Sequence, residues 1–197
     1  GPGEDGDGDM TMLSDALRRL LASEYPFDKR RTKSQSDALE PALRRDMSAL
    51  GIGALLIPER DGGFGGGLAD LAGVAQSLGE ALVAAPCLWQ QVLATRILVD
   101  CAGHAARQER LAGLSDGSLA IALAHTEHAG DDGRGPRNTT VRSDGGAWVL
   151  SGTKRFICDG DAAHRYIVSA QIESGAMALF DVGGKAPGVA GERNRCH

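Results

Sequence analysis

The sequence predicts an α+β protein with its helices at the N-terminal end and its strands after them. Three observations carry this. Up to about residue 117, apolar side chains recur three and four residues apart, the period of an amphipathic helix. From Ser118 onward the apolar runs are short, rich in β-formers and separated by Gly and Asp turns. Helical and strand patterns do not alternate, so a βαβ sheet is excluded and either two domains or one α+β arrangement remains.

The first helix is expected over residues 12–24, where Leu13, Ala16, Leu17, Leu20 and Leu21 share a face and Tyr25-Pro26 stops it. A second is expected over 36–50, burying Leu39, Leu43, Met47 and Leu50 and ending at Gly51 and Gly53. Residues 54–58 read as a short extended or turn segment, and 61–67 (DGGFGGG) as a flexible loop. A third helix spans 68–83, with Leu71, Val74, Ala75, Leu78, Ala81 and Leu82 on its apolar stripe. Pro86 interrupts, and 87–101 form a fourth, more apolar helix expected to be the most buried. A short fifth covers 104–114. Strands are expected within 119–127, 139–143, 147–158, 165–172 and 176–182, with Gly145-Gly146 as a hairpin turn. The expected divisions are a disordered tail with a tag remnant over 1–11, a helical domain over 12–117, a β domain over 118–190 and an unstructured tail over 191–197.

Composition narrows the function classes. A net charge of -5 argues against a sequence-independent nucleic-acid binder. No apolar run reaches the roughly 18 residues of a membrane span, and the acidic, glycine-rich start is unlike a secretory signal. Cys87, Cys101, Cys158 and Cys196 form no CxxC pair, which fits reduced thiols and a cytoplasmic location, with Cys87 and Cys101 as core thiols. Aromatics make up only 4% of the chain, so the core must be filled with Ala, Leu, Val and Ile.

Several local patterns invite chemistry and do not sustain it. The DGGFGGG loop lacks the flanking strand and Lys-Ser/Thr of a phosphate cradle. His125 and His128 do not form HExxH, and on a strand they would point to opposite faces, so no metal site is expected. Ser151, Ser169 and His125 lack a GxSxG elbow.

Three stretches together point further. Residues 50–67 (LGIGALLIPERDGGFGGG) resemble the LG…PExxGGxG segment of the acyl-CoA dehydrogenase family. Residues 122–132 (ALAHTEHAGDD) resemble its A-x-TEPxAGSD stretch, and 148–160 (WVLSGTKRFICDG) its YxLNGxKxWITNG hairpin. Order and spacing match, the resemblance covers roughly residues 12–189, and the wording lies closest to the pimeloyl-CoA dehydrogenase small-subunit type.

The resemblance implies a helical N-terminal domain and part of an antiparallel β-barrel, with FAD between the barrel and a C-terminal helical bundle. It places Leu123, His125 and Thr126 where main chain and a hydroxyl meet the flavin ring, and Phe156 as the aromatic covering the ring face. Cys158 stands where the family has a Thr, and a thiol is the weaker donor. Asp131 stands where a Ser approaches the cofactor pyrophosphate, a repulsive position for a carboxylate unless it is neutralised. His128 replaces a Pro. Trp89 and Leu93 align with residues lining the acyl channel. Glu127 matches a structural Glu of the motif, and no catalytic residue is assigned, because the family's Glu base lies in the C-terminal domain.

The implied activity is α,β-dehydrogenation of an acyl-CoA or acyl-carrier thioester, with a truncated chain inactive alone and colourless on purification. Two alternatives accompany it. One is a non-catalytic subunit pairing with a full-length homologue, as a homo- or hetero-oligomer. The other is a small acyl-thioester or flavin binder in a biosynthetic pathway.

Overall fold

The computed structural model describes residues 5–26, 39–83, 86–135 and 137–192, without the side chains of 5–11, 39–41, 86–87 and 89. The chain divides into two compact units, residues 1–118 and 119–197.

Unit one is helical: α1 (Asp5–Glu24), α2 (Leu39–Ala49), α3 (Leu68–Glu80), α4 (Pro86–Asp100) and α5 (Arg107–Asp116). Short 3-10 turns at Ile52–Ala54 and Glu59–Asp61 lie between α2 and α3. The periodic leucines do the packing. Leu17 and Leu21 of α1, Leu43 and Met47 of α2 and Val74 and Leu78 of α3 meet Ile52, Leu55 and Val83 in one core. Burial of each such side chain contributes about 2 kcal/mol. Tyr25 ends α1 with its ring buried and its hydroxyl donating to Asp46 Oδ2 at 2.6 Å.

Of the two forms expected for residues 54–58, the chain takes the turn, with Leu55 N–H and Ile57 N–H donating back to Ile52 O and Ala54 O. Three expectations need correction here. The first helix begins at Asp5, well before residue 12. Pro86 opens α4 rather than interrupting it; its fixed φ and missing N–H suit the first helical position. Leu82 is 72% exposed, not part of the α3 stripe. The helix stops at Glu80, Leu82 turns left-handed (φ 53°), and its N–H donates to Gly79 O while Val83 N–H donates to Leu78 O. That pattern is a Schellman stop with leucine in the position usually held by glycine, and Val83 takes the buried place beside Leu78.

The glycine loop is not slack. Gly63, Phe64, Gly65 and Gly66 N–H donate to Pro58, Ala54, Ile57 and Leu55 carbonyls at 2.8–3.1 Å. A Cβ at Gly63 would collide with Ile57 O, so glycine is required by close approach. Arg107 pins the loop through a bidentate pair with Asp61 (2.7 Å each). These N–H groups are therefore engaged with their own chain.

Unit two is a five-stranded sheet: β1 (Ile121–Ala124), β2 (Thr140–Asp144), β3 (Ala147–Ser151), β4 (Arg165–Gln171) and β5 (Met177–Gly183). The α+β class holds, but the sheet is mixed where an antiparallel one was expected. β4 pairs antiparallel with β5, and its other edge is shared by β1, in parallel, and the start of β2. The parallel pairing arises because the β2–β3 hairpin intervenes between β1 and β4, so the chain returns to β4 in the direction it left β1. Gly145 and Gly146 turn the hairpin with φ 57° and 85°, as a two-residue primed turn requires. Two strands are shorter than expected. The third stops at Ser151, and β1 at Ala124, leaving residues 125–127 and 152–158 as irregular segments that meet each other.

Candidate functional site

The two irregular segments carry most of the residues the sequence singled out. Arg155 N–H donates to Thr126 O at 2.7 Å, which sets Phe156 next to the 125–127 segment. Phe156 has φ 54° and is 62% exposed. Thr126 is half-buried, Leu123 on β1 partly buried, and Cys158 exposed with a free thiol. Leu123, His125, Thr126, Phe156 and Cys158 thus lie on β1, its extension and the facing segment. Leu93 lies on α4, 41% exposed, and the side chain of Trp89 falls outside the described residues.

Beneath this surface is a buried ionic network. Glu127 accepts N–H bonds from Asn138 (2.6 Å) and Thr139 (2.8 Å), the Thr139 hydroxyl (2.7 Å) and Lys154 Nζ (2.8 Å). Burial pushes its pKa upward, but the Lys154 ammonium and the other donors outweigh this and hold it at about 2. Glu127 is therefore a locked anion, unsuited to take a proton from a substrate. A Cβ on Gly152 would come within 2.5 Å of the Thr139 hydroxyl, so glycine there lets the outgoing chain pass this cluster.

Lys154 Nζ also donates to His125 O (3.2 Å) and Ser169 Oγ (3.1 Å). His125 Nδ1 lies 2.8 Å from Ser169 Oγ and Nε2 lies 2.9 Å from Gly133 O. Because Gly133 O can only accept, Nε2 carries the proton and Nδ1 accepts from the Ser169 hydroxyl. Ser169 is fully buried, so it is a link in a network and not an accessible nucleophile.

Asp131 turns inward. Arg137 clamps its carboxylate at 2.6 and 3.1 Å, and Gly133 and Glu127 N–H donate to it. The Arg137 guanidinium, followed by these N–H groups, holds the Asp131 pKa well below the usual carboxylate range despite the opposing effect of burial. The negative charge is thus neutralised within the loop. His128 is exposed. Cys101 is exposed too, contrary to its expected core role, because it lies just beyond the last turn of α4; Cys87 and Cys196 fall outside the described side chains. Among the described residues no three His, Cys, Asp or Glu side chains converge as metal ligands, and no helix is long and apolar enough to cross a membrane.

The sequence did not point to Arg137 or Lys154 as site residues, and it raised Ser169 beside His125 only as a nucleophile to set aside. The observed register, with Leu123 opposite Ile167, carries His125 to Ser169 two residues further on. Arg137 and Lys154 lie in irregular segments and left no periodic signal.

Comparison with known proteins identifies the family and the fold. Residues 8–118 match the family model described as acyl-CoA dehydrogenase, N-terminal domain. Acyl-CoA dehydrogenase FadE12 of Mycobacterium tuberculosis (strain ATCC 25618 / H37Rv) is 30% identical over 193 residues, covering 89% of this chain and 47% of that protein. A Tcur3481-Tcur3483 steroid ACAD variant superposes with a TM-score of 0.78 at 28% identity, over 93% of this chain and 50% of the other. The ChsE4-ChsE5 complex of Mycobacterium tuberculosis shares the fold, with a TM-score of 0.74 at 22% identity, over 96% of this chain and 50% of that one. The fold and the matched segment are those of the acyl-CoA dehydrogenase class. The chain belongs to the acyl-CoA dehydrogenase family, and it spans about half the length of the curated relatives it matches.

Proposed function

We propose that these residues form the helical domain and the flavin-facing part of the β domain of an acyl-CoA dehydrogenase acting on an acyl-CoA or acyl-carrier thioester. The observation that carries the reading is the Arg155–Thr126 main-chain bond, which joins the segment bearing exposed Phe156 to the one bearing half-buried Thr126. The Thr126 hydroxyl suits a flavin edge, the Phe156 ring suits a flavin face, and the Cys158 thiol offers a weaker donor nearby. With its charge held by Arg137, Asp131 does not oppose a diphosphate group. FAD, when bound, supplies the hydride acceptor for α,β-dehydrogenation. Leu123, Thr126 and Phe156 would orient it, and Trp89 and Leu93 would line the acyl channel by the family resemblance alone. Glu127, buried against Lys154, does not serve as base.

Titration with FAD, followed by flavin fluorescence and visible absorbance, tests this. The chain purifies colourless and binds FAD weakly but saturably, and Phe156→Ala and Thr126→Val each weaken binding at least threefold. Absence of saturable binding, or affinity untouched by both variants, refutes the assignment.

A second reading, a subunit that pairs with a full-length homologue, is favoured by Trp148, Val149, Met177 and Leu179 remaining exposed on β3 and β5. Light scattering of the chain alone and mixed with such a homologue separates the two: pairing supports the second reading, and a persistent monomer removes it.

A further inference from the structure

Lys154 spends all three of its N–H donors on acceptors around one short segment. Two of them, His125 O (3.2 Å) and Glu127 Oε1 (2.8 Å), belong to the residues on either side of Thr126. The third, Ser169 Oγ (3.1 Å), lies on β4 beneath. The residue after Lys154 donates its main-chain N–H to Thr126 O, and the next is Phe156. We propose that Lys154 is the positioning residue of the site, fixing Thr126 relative to Phe156 by holding the His125 carbonyl on one side of Thr126 and the Glu127 carboxylate on the other. This rests on the flavin reading above and names the group that builds its geometry.

The network also fixes a direction for the hydrogen bonds. Lys154 can only donate, so the Ser169 hydroxyl, having accepted from it, turns its own proton to His125 Nδ1. Nε2–H is then left for Gly133 O at 2.9 Å, which ties the 128–135 loop to the same centre. Gly133 O already calls for a proton on Nε2, and Lys154, through its bond to Ser169, orders the hydroxyl that meets Nδ1. Arg137 reaches His125 O from the other side at 3.2 Å, and Asp131 and Glu127 balance the two cations. A lysine that served only to neutralise Glu127 would need neither the His125 carbonyl nor the Ser169 hydroxyl.

The test compares wild type with Lys154→Met, which keeps the stem and removes the donors. Because this leaves Glu127 buried without its cation, the double variant Glu127→Gln/Lys154→Met is carried alongside to keep a folded protein in hand. Two readouts need no ligand. Imidazole nitrogen shifts report the His125 tautomer, and amide exchange at Arg155 reports its bond to Thr126. The expected result is an Nε2–H ring in wild type, an Nδ1 shift that moves in both variants as the Ser169 hydroxyl loses its Lys154 donor, and Arg155 exchange at least tenfold faster in both. With FAD added, both variants lose at least tenfold in affinity and the bound flavin spectrum shifts. An unchanged His125 ring and unchanged Arg155 exchange overturn the positioning role. If wild type takes up no FAD, the flavin reading fails on its own, and the two ligand-free readouts still decide the role of Lys154.

Discussion

Phe156 holds an aromatic side chain at φ 54° and is mostly exposed. Such a backbone costs about 1–2 kcal/mol in a non-glycine residue, and almost no burial offsets it. A residue kept in that state is understandable if its exposed face has a use. Phe156→Gly is therefore expected to leave folding stability within about 1 kcal/mol of wild type, or raise it, while weakening FAD binding. Urea melts and FAD titrations on one preparation check both halves. Glu127 makes the opposite kind of statement. Its folded pKa of about 2 lies below the unfolded 4.5, so its stabilisation is complete above pH 4.5 and fades as pH falls toward 2. Urea midpoints should drop across that window, and Glu127→Gln, weaker at pH 7, should show a shallower drop. That motif residues cluster in 125–127 and 156–158 was legible in the sequence. The inward turn of Asp131 was not, because the charge that captures it, Arg137, lies six residues away in a segment without periodicity.

At the scale of elements, the helices followed their apolar spacing closely, and the misses fall at their ends. Periodicity reports which face is buried, whereas a helix stop depends on a single backbone angle. Leu82 illustrates this: it fits the α3 stripe by spacing yet occupies the left-handed stop. Leu82→Gly should raise stability by about 1 kcal/mol, read from chemical denaturation, because an exposed leucine with positive φ is exchanged for a residue that adopts it freely. The glycine loop after Glu59–Asp61 shows the converse. Composition suggests slackness, but the glycines allow the chain to fold back within bonding distance of 54–58. Gly63→Ala is expected to cost about 2 kcal/mol, since its Cβ would overlap Ile57 O, whereas Gly62→Ala meets no neighbour and strains only φ. Equal effects of the two substitutions in denaturant melts would contradict this account of the loop.

At the scale of the whole molecule, segregation of helices from strands was readable from the change of hydrophobic period near residue 118, and the family from three short motifs in register. Strand direction was not, because short apolar runs carry no record of their partners. β1 and β4 lie some 40 residues apart, and their parallel pairing depends on the hairpin between them. That pairing has a functional consequence in this account: it brings Ser169 under His125 and so builds the Lys154 network. The central claim is that flavin meets this chain on residues 123–126 and 156–158. Hydrogen–deuterium exchange with and without saturating FAD tests it most directly. The account predicts that slowing concentrates in the amides of residues 123–127 and 155–158. Protection absent there, or centred instead on the glycine loop at 61–67, would contradict it.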